Sequence, residues 1–199
     1  MGKDWIKKHK QEKYYRQSQK EGMRSRAVYK IRQIQGKFKV FNDAKLVLDL
    51  CCAPGSWIEE IKREFDQVSV VGVDIVKISP IEGITFIQGD IRDDSIIDAL
   101  SKNLLRDVDV VISDCAPKFT GSKETDHARQ IFLVERVIHI AYQFLEERGH
   151  LVCKLFDGEH TTKFRNQLKK DFEEVFLFKP EASRKKSPEL YLIGKFYKK

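Results

Sequence analysis

The chain has 199 residues, of which 41% are hydrophobic and 34% are charged, and its formal net charge is +7. This length and composition fit one domain with a sizeable core. No apolar run approaches the length of a membrane span and no leader pattern is visible. We therefore expect a cytoplasmic protein with no membrane partner.

Positive charge is concentrated at the start of the chain. Residues 1–39 contain thirteen Lys or Arg against three Asp or Glu, a net charge of +10, so the remaining residues carry about −3. We divide the chain into a basic N-terminal arm, residues 1–24, and a single domain, residues 25–199. Such a distribution favours a polyanionic partner. The same region holds aromatic rings that can stack on bases, namely Trp5, Tyr14, Tyr15 and Tyr29. RNA is the expected partner, and a solvated tail is the alternative.

The first regular pattern is a helix over residues 25–35 that includes Lys30. Ala27, Ile31 and Ile34 share one helical face, and Ser25 is a candidate N-cap.

The stretch that follows, residues 45–57, reads KLVLDLCCAPGSW. It predicts a buried strand, a turn of small residues including Gly55, and the start of a helix, which is where an open α/β sheet places a ligand. A second apolar run ends at Asp74, about twenty residues beyond the turn, at the position where a carboxylate can hold ribose hydroxyls. No G-x-G-x-x-G is present to bind a pyrophosphate, so a nucleoside without phosphates, such as S-adenosylmethionine, fits better.

The remaining pattern alternates strands and helices. Strands are predicted at 84–88, 108–113, 152–155, 175–178 and 190–197, and helices at 95–105, 128–147 and 161–172. A mobile loop is predicted over 118–126, and Gly149 is expected to end the long helix. The alternation indicates an α/β fold with a mostly parallel sheet. The last two strands have no helix between them, so the last strand is expected to be antiparallel.

Acidic residues end or follow four of the early strands. They are Asp49, Asp74, Asp90 and Asp114. In a doubly wound sheet these positions converge on the carboxyl edge. We expect Asp74 to bind ribose, Asp90 the adenine amine, and Asp114 to lie nearest the methionine half of the ligand, whose sulfonium charge a carboxylate favours.

Lys154 lies within the apolar run of the fifth strand. One interpretation is a salt bridge to Asp114, and the other is a general base that takes the proton of a ribose 2′-hydroxyl. A lysine does this only when burial or a neighbouring cation brings its pKa towards neutrality. Lys30 could be that cation, and Glu189 could orient both lysines.

The four cysteines, Cys51, Cys52, Cys115 and Cys153, form no C-x-x-C pair. We therefore expect neither a metal site nor a redox motif, but small buried thiols in a reducing compartment.

Six stretches together resemble the motifs of the FtsJ-type RNA ribose 2′-O-methyltransferases. They are RSRAVYKI at 24–31, LDLCCAPGSW at 48–57, GDIRD at 89–93, SDCAP at 113–117, VCKLF at 152–156 and SRKKSPELY at 183–191. The resemblance implies a Rossmann-like S-adenosylmethionine-dependent methyltransferase fold with helices on both faces of a seven-stranded sheet. It implies a catalytic group of Lys30, Asp114, Lys154 and Glu189, with Lys154 as proton acceptor. It also implies cofactor contacts from Gly55, Trp57, Asp74, Asp90 and Asp114. Many bacterial members have Gly-Ala where Cys51 and Cys52 stand, which predicts a narrower or shifted cofactor pocket here.

Several functions stay open at this point. A uridine of large-subunit ribosomal RNA is the favoured substrate, because the chain is short and has no appended domain, and the anticodon loop of tRNA is the alternative. Cytosine C5 methylation would need Cys115 as nucleophile. Amine methylation is disfavoured, because Asp114-Cys115-Ala116-Pro117 lacks the aromatic residue that stacks the base. A non-catalytic RNA-binding module would need no lysine in the fifth strand. We expect a monomer.

Overall fold

The computed structural model describes residues 13–118 and 120–199. After helical residues 13–20, the helices are α1 (Val28–Phe38), α2 (Ser56–Glu64), α3 (Ser95–Asn103), α4 (Lys123–Phe144) and α5 (Thr161–Asp171). The strands are β1 (Leu46–Leu50), β2 (Ser69–Asp74), β3 (Ile84–Gln88), β4 (Val108–Ser113), β5 (Leu145–Phe156), β6 (Phe172–Phe178) and β7 (Glu189–Tyr197). The first half of the predicted basic arm, with Trp5, lies outside the described residues.

The seven strands form one sheet in the order β3-β2-β1-β4-β5-β7-β6. β7 runs antiparallel to both of its neighbours, and the other pairs are parallel. The predicted α/β fold with an antiparallel last strand is confirmed. The direction of chain progression reverses between β1 and β4, so their carboxyl ends open a crevice of the kind that binds ligands in such sheets.

The helices cover both faces of the sheet. Ile31, Ile34 and Phe38 of α1 pack with the apolar residues of α2 in one core cluster, and the apolar residues of α3, α4 and α5 pack in the other. Alternate residues of a strand enter opposite clusters, as Val47 and Leu48 do on β1. This arrangement places α1, and with it Lys30, on the same face of the sheet as α2 and the small-residue turn that precedes it.

Two predicted boundaries around the longest helix are wrong. The helix begins at Lys123, because the hydroxyl of Ser122 accepts a hydrogen bond from the Thr125 amide and caps it. Part of the predicted loop 118–126 is therefore helical. Gly149 does not end the helix, since β5 starts at Leu145, directly after α4, and continues through Gly149.

The described part of the arm contacts the domain. Tyr14 packs on Tyr29 of α1 with ring centroids 5.1 Å apart. Glu21 forms an ion pair with Arg32 at 2.9 Å. No described helix combines the length and apolarity that crossing a bilayer requires.

Candidate active site

Four charged side chains from four elements meet at the carboxyl edge of the sheet. Asp114 directly follows β4, Lys154 lies in β5, Glu189 begins β7 and Lys30 comes from α1. The pairing of β5 with β7 sets Phe156 opposite Glu189 and Lys154 opposite Tyr191. The four residues predicted to be catalytic are thus brought together.

The distances define a chain of ion pairs. Lys154 Nζ lies 3.0 Å from Asp114 Oδ1, and Lys30 Nζ lies 3.3 Å from Asp114 Oδ2. Lys30 Nζ also lies 2.9 Å from Glu189 Oε1. Asp114 therefore joins both lysines, whereas the ion pair of Glu189 is with Lys30. The Ser183 hydroxyl donates to the same Glu189 oxygen at 2.7 Å and fixes that carboxylate.

The group is neutral overall, because two lysines face two carboxylates. Both lysines are buried, and buried charges are tolerated when they are paired and hydrogen-bonded. Burial alone would raise the pKa of Asp114, but the Lys154 and Lys30 cations and the Tyr191 hydrogen bond outweigh it and hold this pKa below the usual value. Asp114 is thus a stable carboxylate between two ammonium groups.

Tyr191 is part of the group, although the sequence patterns did not single it out. Its ring is 0% exposed, and its hydroxyl donates a hydrogen bond to Asp114 Oδ1. Burial and the Asp114 charge raise its pKa well above the usual value, so it stays a donor. An apolar strand pattern predicts a buried tyrosine there, but only the β5–β7 register shows that it faces Asp114.

A cavity of about 710 Å³ lies at the same edge of the sheet and reaches Ala116, two residues beyond Asp114, but Asp114 and the other charged residues of the group do not line it. Its wall combines the ends of β1, β2 and β3, the segment after β4 and one face of α4, and includes Cys51, Asp74, Asp90, Ala116, Pro117 and Phe132. Exposed apolar side chains of Ile75, Val76 and Phe132 suit a flat ring.

The two predicted nucleoside-binding acids lie in this wall. Asp74 accepts hydrogen bonds from the amides of Ala53 and Val76, each at 2.8 Å, which fixes its carboxylate while each oxygen keeps a second lone pair. Asp90 binds the Arg92 guanidinium at 2.9 Å, and that hydrogen bond lowers the pKa of Asp90.

The other predicted cofactor residues lie nearby but do not line the cavity. Gly55 precedes α2 with a φ of 95°, a conformation that favours glycine. Trp57 is 3% exposed, and its indole N–H donates to the Ala27 carbonyl at 2.9 Å, tying the start of α1 to this turn. Ser25, the predicted N-cap of α1, instead shares a 2.8 Å hydrogen bond with the Ser56 hydroxyl.

Asp49, the fourth strand-end acid, is buried below the site. It is 1% exposed, and its Oδ2 has no hydrogen-bond partner among the described residues. Burial, with the nearby charges of Asp114 and Asp74, raises its pKa well above the usual value. Asp49 is therefore easier to protonate than an exposed aspartate.

The cysteines differ from the prediction. Cys51 and Cys115, at the ends of the adjacent strands β1 and β4, form a disulfide. Their sequence separation of 64 residues hid this pairing from any spacing rule. Cys115 is buried and oxidised and so cannot be the nucleophile of a C5 methylation. Cys52 and Cys153 are free and buried, and burial raises the pKa of the Cys153 thiol to about 12.

Comparison with known proteins places this arrangement in a family. A model of the FtsJ-like methyltransferases matches residues 23–197. Two relatives are archaeal proteins named ribosomal RNA large subunit methyltransferase E. The one from Methanothermobacter thermautotrophicus is 39% identical over 100% of this chain and 95% of its own length, and that from Methanocaldococcus jannaschii is 40% identical over 98% and 82%.

A solved structure from Plasmodium falciparum, described as a ribosomal RNA methyltransferase, superposes with a TM-score of 0.79. It is 29% identical, and the match covers 87% of this chain and 98% of that one. With its sheet order, its converging charged residues and a family match over nearly its whole length, this chain belongs to the FtsJ-like methyltransferases.

Proposed function

We propose that this protein transfers a methyl group from S-adenosylmethionine to a ribose 2′-hydroxyl of RNA, with a uridine of large-subunit ribosomal RNA as the favoured target. The observation that carries the proposal is the buried group of Lys30, Asp114, Lys154 and Glu189 at the edge of the sheet where the nucleoside-sized cavity also lies.

The cavity suits the proposed cofactor. Its volume falls within the range of small-molecule sites, and it combines an apolar wall with two carboxylates, Asp74 and Asp90. Asp74 would hold the ribose of the cofactor and Asp90 its adenine amine. Trp57 would act through its backbone in the first turn of α2, where unpaired N–H groups favour a carboxylate. The Gly55 N–H already donates to the Cys52 carbonyl at 2.6 Å, so Gly55 would act by letting the ligand approach the backbone closely. When bound, S-adenosylmethionine supplies an electrophilic methyl group on a sulfonium.

The charged group would activate the sugar hydroxyl. Once its ammonium has given up a proton, Lys154 Nζ would accept the 2′-hydroxyl proton as the oxygen gains the methyl group and the bond from that methyl group to sulfur breaks. Asp114 anchors Lys154 from one side, and the Lys30–Glu189 pair fixes Asp114 from the other. Lys30 then positions the ribose. A non-catalytic RNA-binding module would have no need of two buried lysines on one carboxylate.

RNA fits the surface around the group. Arg26 lies close enough to Arg184 and to Glu189 to feel the charge of each, and burial together with the Arg184 charge lowers the pKa of Arg26. A phosphate would stabilise two neighbouring guanidiniums. The sequence of the basic arm, residues 1–24, adds eight Lys or Arg against three Asp or Glu. The names of both relatives refer to ribosomal RNA, which favours ribosomal RNA over a tRNA anticodon loop as the substrate.

Product mapping tests the substrate. The purified protein is incubated with isotope-labelled S-adenosylmethionine and either large-subunit ribosomal RNA, assembled large subunits or bulk tRNA. Nuclease digestion and mass spectrometry then locate the label. We expect 2′-O-methyluridine in the ribosomal samples. Label on a base, or on tRNA alone, would refute the assignment.

A further inference from the structure

Gln130 is a buried amide on α4, behind the charged group. Its side chain is 1% exposed, and it lies in none of the motifs named above. Its Nε2 donates to the carbonyl of Lys154 at 3.0 Å and to the carbonyl of Cys115 at 3.4 Å. A buried amide is retained where it satisfies other buried polar groups. Here the two acceptors belong to the two segments that carry the proton acceptor and its carboxylate.

The two Gln130 hydrogen bonds lie just beyond the point where β4 and β5 stop pairing. Backbone pairing between β4 and β5 stops at Ser113 and Cys153. The next residues along, Asp114 and Lys154, are the ones whose side chains must meet. Lys154 stays paired to Tyr191 of β7, but the segment after Ser113 has left the sheet. The Gln130 amide joins these two segments beyond their last paired backbone residues.

The orientation of the amide follows from its surroundings. Turning it over would set Oε1 against two carbonyl oxygens, so the nitrogen must face them. Gln130 also lines a cavity of about 10 Å³ together with His127 and His160, and its Oε1 has no partner among the described residues. The two hydrogen bonds to Lys154 and Cys115 therefore fix the amide.

We propose that Gln130 is a positioning residue that sets the separation between Asp114 and Lys154 without touching substrate or cofactor. The proposal rests on the proposed function, because it assumes that Lys154 accepts the proton. Its hydrogen bonds hold the Asp114–Cys115 segment against β5, which keeps Lys154 Nζ within 3.0 Å of Asp114 Oδ1. Small displacements of catalytic groups are costly, about a hundredfold in rate for about 1 Å.

Gln130→Met tests the proposal, since methionine has a similar length and no donor. We expect kcat for RNA methylation to fall about 10- to 100-fold, while the Kd for S-adenosylmethionine, measured by calorimetry, changes less than about threefold. Gln143→Met makes the same change at an exposed position of the same helix and should leave both constants unchanged. Should Gln130→Met not fold, Gln130→Asn keeps the amide but is too short to reach both carbonyls, and the same kcat-selective loss is expected.

Two results would overturn it. Unchanged kcat in a folded Gln130 variant would show that the two hydrogen bonds do not matter for the reaction. Equal losses in kcat and cofactor affinity would show a general structural role. Parallel assay of Lys154→Ala separates the two proposals: if that variant stays active, the proposed function fails, whereas if it is inactive and Gln130→Met is fully active, only this inference fails.

Discussion

Asp114 is the residue on which the charged group depends, because among the described residues it is the one that contacts both lysines and the Tyr191 hydroxyl. The carboxylate replaces the water that two ammonium groups and a phenol would otherwise bind. Removing its charge would leave Lys154 buried beside Lys30 with a single carboxylate, Glu189, for both. Uncompensated buried charge is among the few causes of large mutational effects.

Asp114→Asn is accordingly expected to abolish methyl transfer and to lower the free energy of unfolding by about 3–5 kcal/mol. Urea denaturation followed by circular dichroism measures the stability change. Asp98→Asn, at an exposed position of α3, serves as the control and should change stability by less than about 0.5 kcal/mol. Equal effects of the two substitutions would show that the ion pairs add little.

At the scale of elements, β5 and β7 are the central pair, since they carry Lys154 and Glu189. Their ladder runs from Phe156–Glu189 to Leu151–Gly194. One step further, the Nδ1 atom of His150 accepts a hydrogen bond from the Phe196 amide at 3.2 Å. That bond requires a neutral imidazole. Burial, with the nearby Lys195 and Arg148 charges, lowers the pKa of His150 below its usual 6.5.

This gives a signed pH prediction. The folded pKa of His150 is depressed, so its contribution to stability is complete above about pH 6.5 and is lost as the pH falls towards the folded pKa. We expect the unfolding free energy of the wild type to drop more over this window than that of His150→Gln, which cannot titrate. Parallel curves for the two proteins between about pH 7.5 and 5 would contradict the sign or the origin of the effect.

The disulfide is a second link between elements. Cys51 and Cys115 join the ends of β1 and β4 across the opening of the crevice and close a loop of 64 residues. Constraining a loop of this length in the unfolded chain stabilises the folded state by about 4 kcal/mol.

Dithiothreitol should therefore lower the urea midpoint of the wild type. The double variant Cys51→Ser with Cys115→Ser should show the lower midpoint at once and no further response to the reductant. A wild type insensitive to reduction would show that the bond adds no stability.

For the whole molecule, the sequence predicted those features that follow from short patterns of neighbouring residues. Alternating apolar runs and small-residue turns predicted the sheet and its antiparallel last strand. The group of Lys30, Asp114, Lys154 and Glu189 was implied by the family resemblance. The family motifs are local in sequence, and each one lies at a strand end or on α1.

What escaped prediction depends on distant pairs. The Cys51–Cys115 bond and the contact of Tyr191 with Asp114 require the register of strands that are far apart in sequence. Gln130 lies in a helix whose pattern is ordinary, and its value comes only from two carbonyls brought behind it by β4 and β5. The start of α4 was misplaced because a serine cap within a polar, glycine-containing segment resembles a loop.

The central claim is that an amine buried at the carboxyl edge of the sheet takes the proton of the sugar hydroxyl. Single-turnover methyl transfer to large-subunit ribosomal RNA by Lys154→Ala tests it most directly. Lys163→Ala, which removes an exposed lysine paired with Glu135 across α5 and α4, is the matched control. The account predicts that Lys154→Ala binds S-adenosylmethionine normally but transfers no methyl group, while Lys163→Ala is fully active. Methyl transfer at the wild-type rate by Lys154→Ala would contradict it.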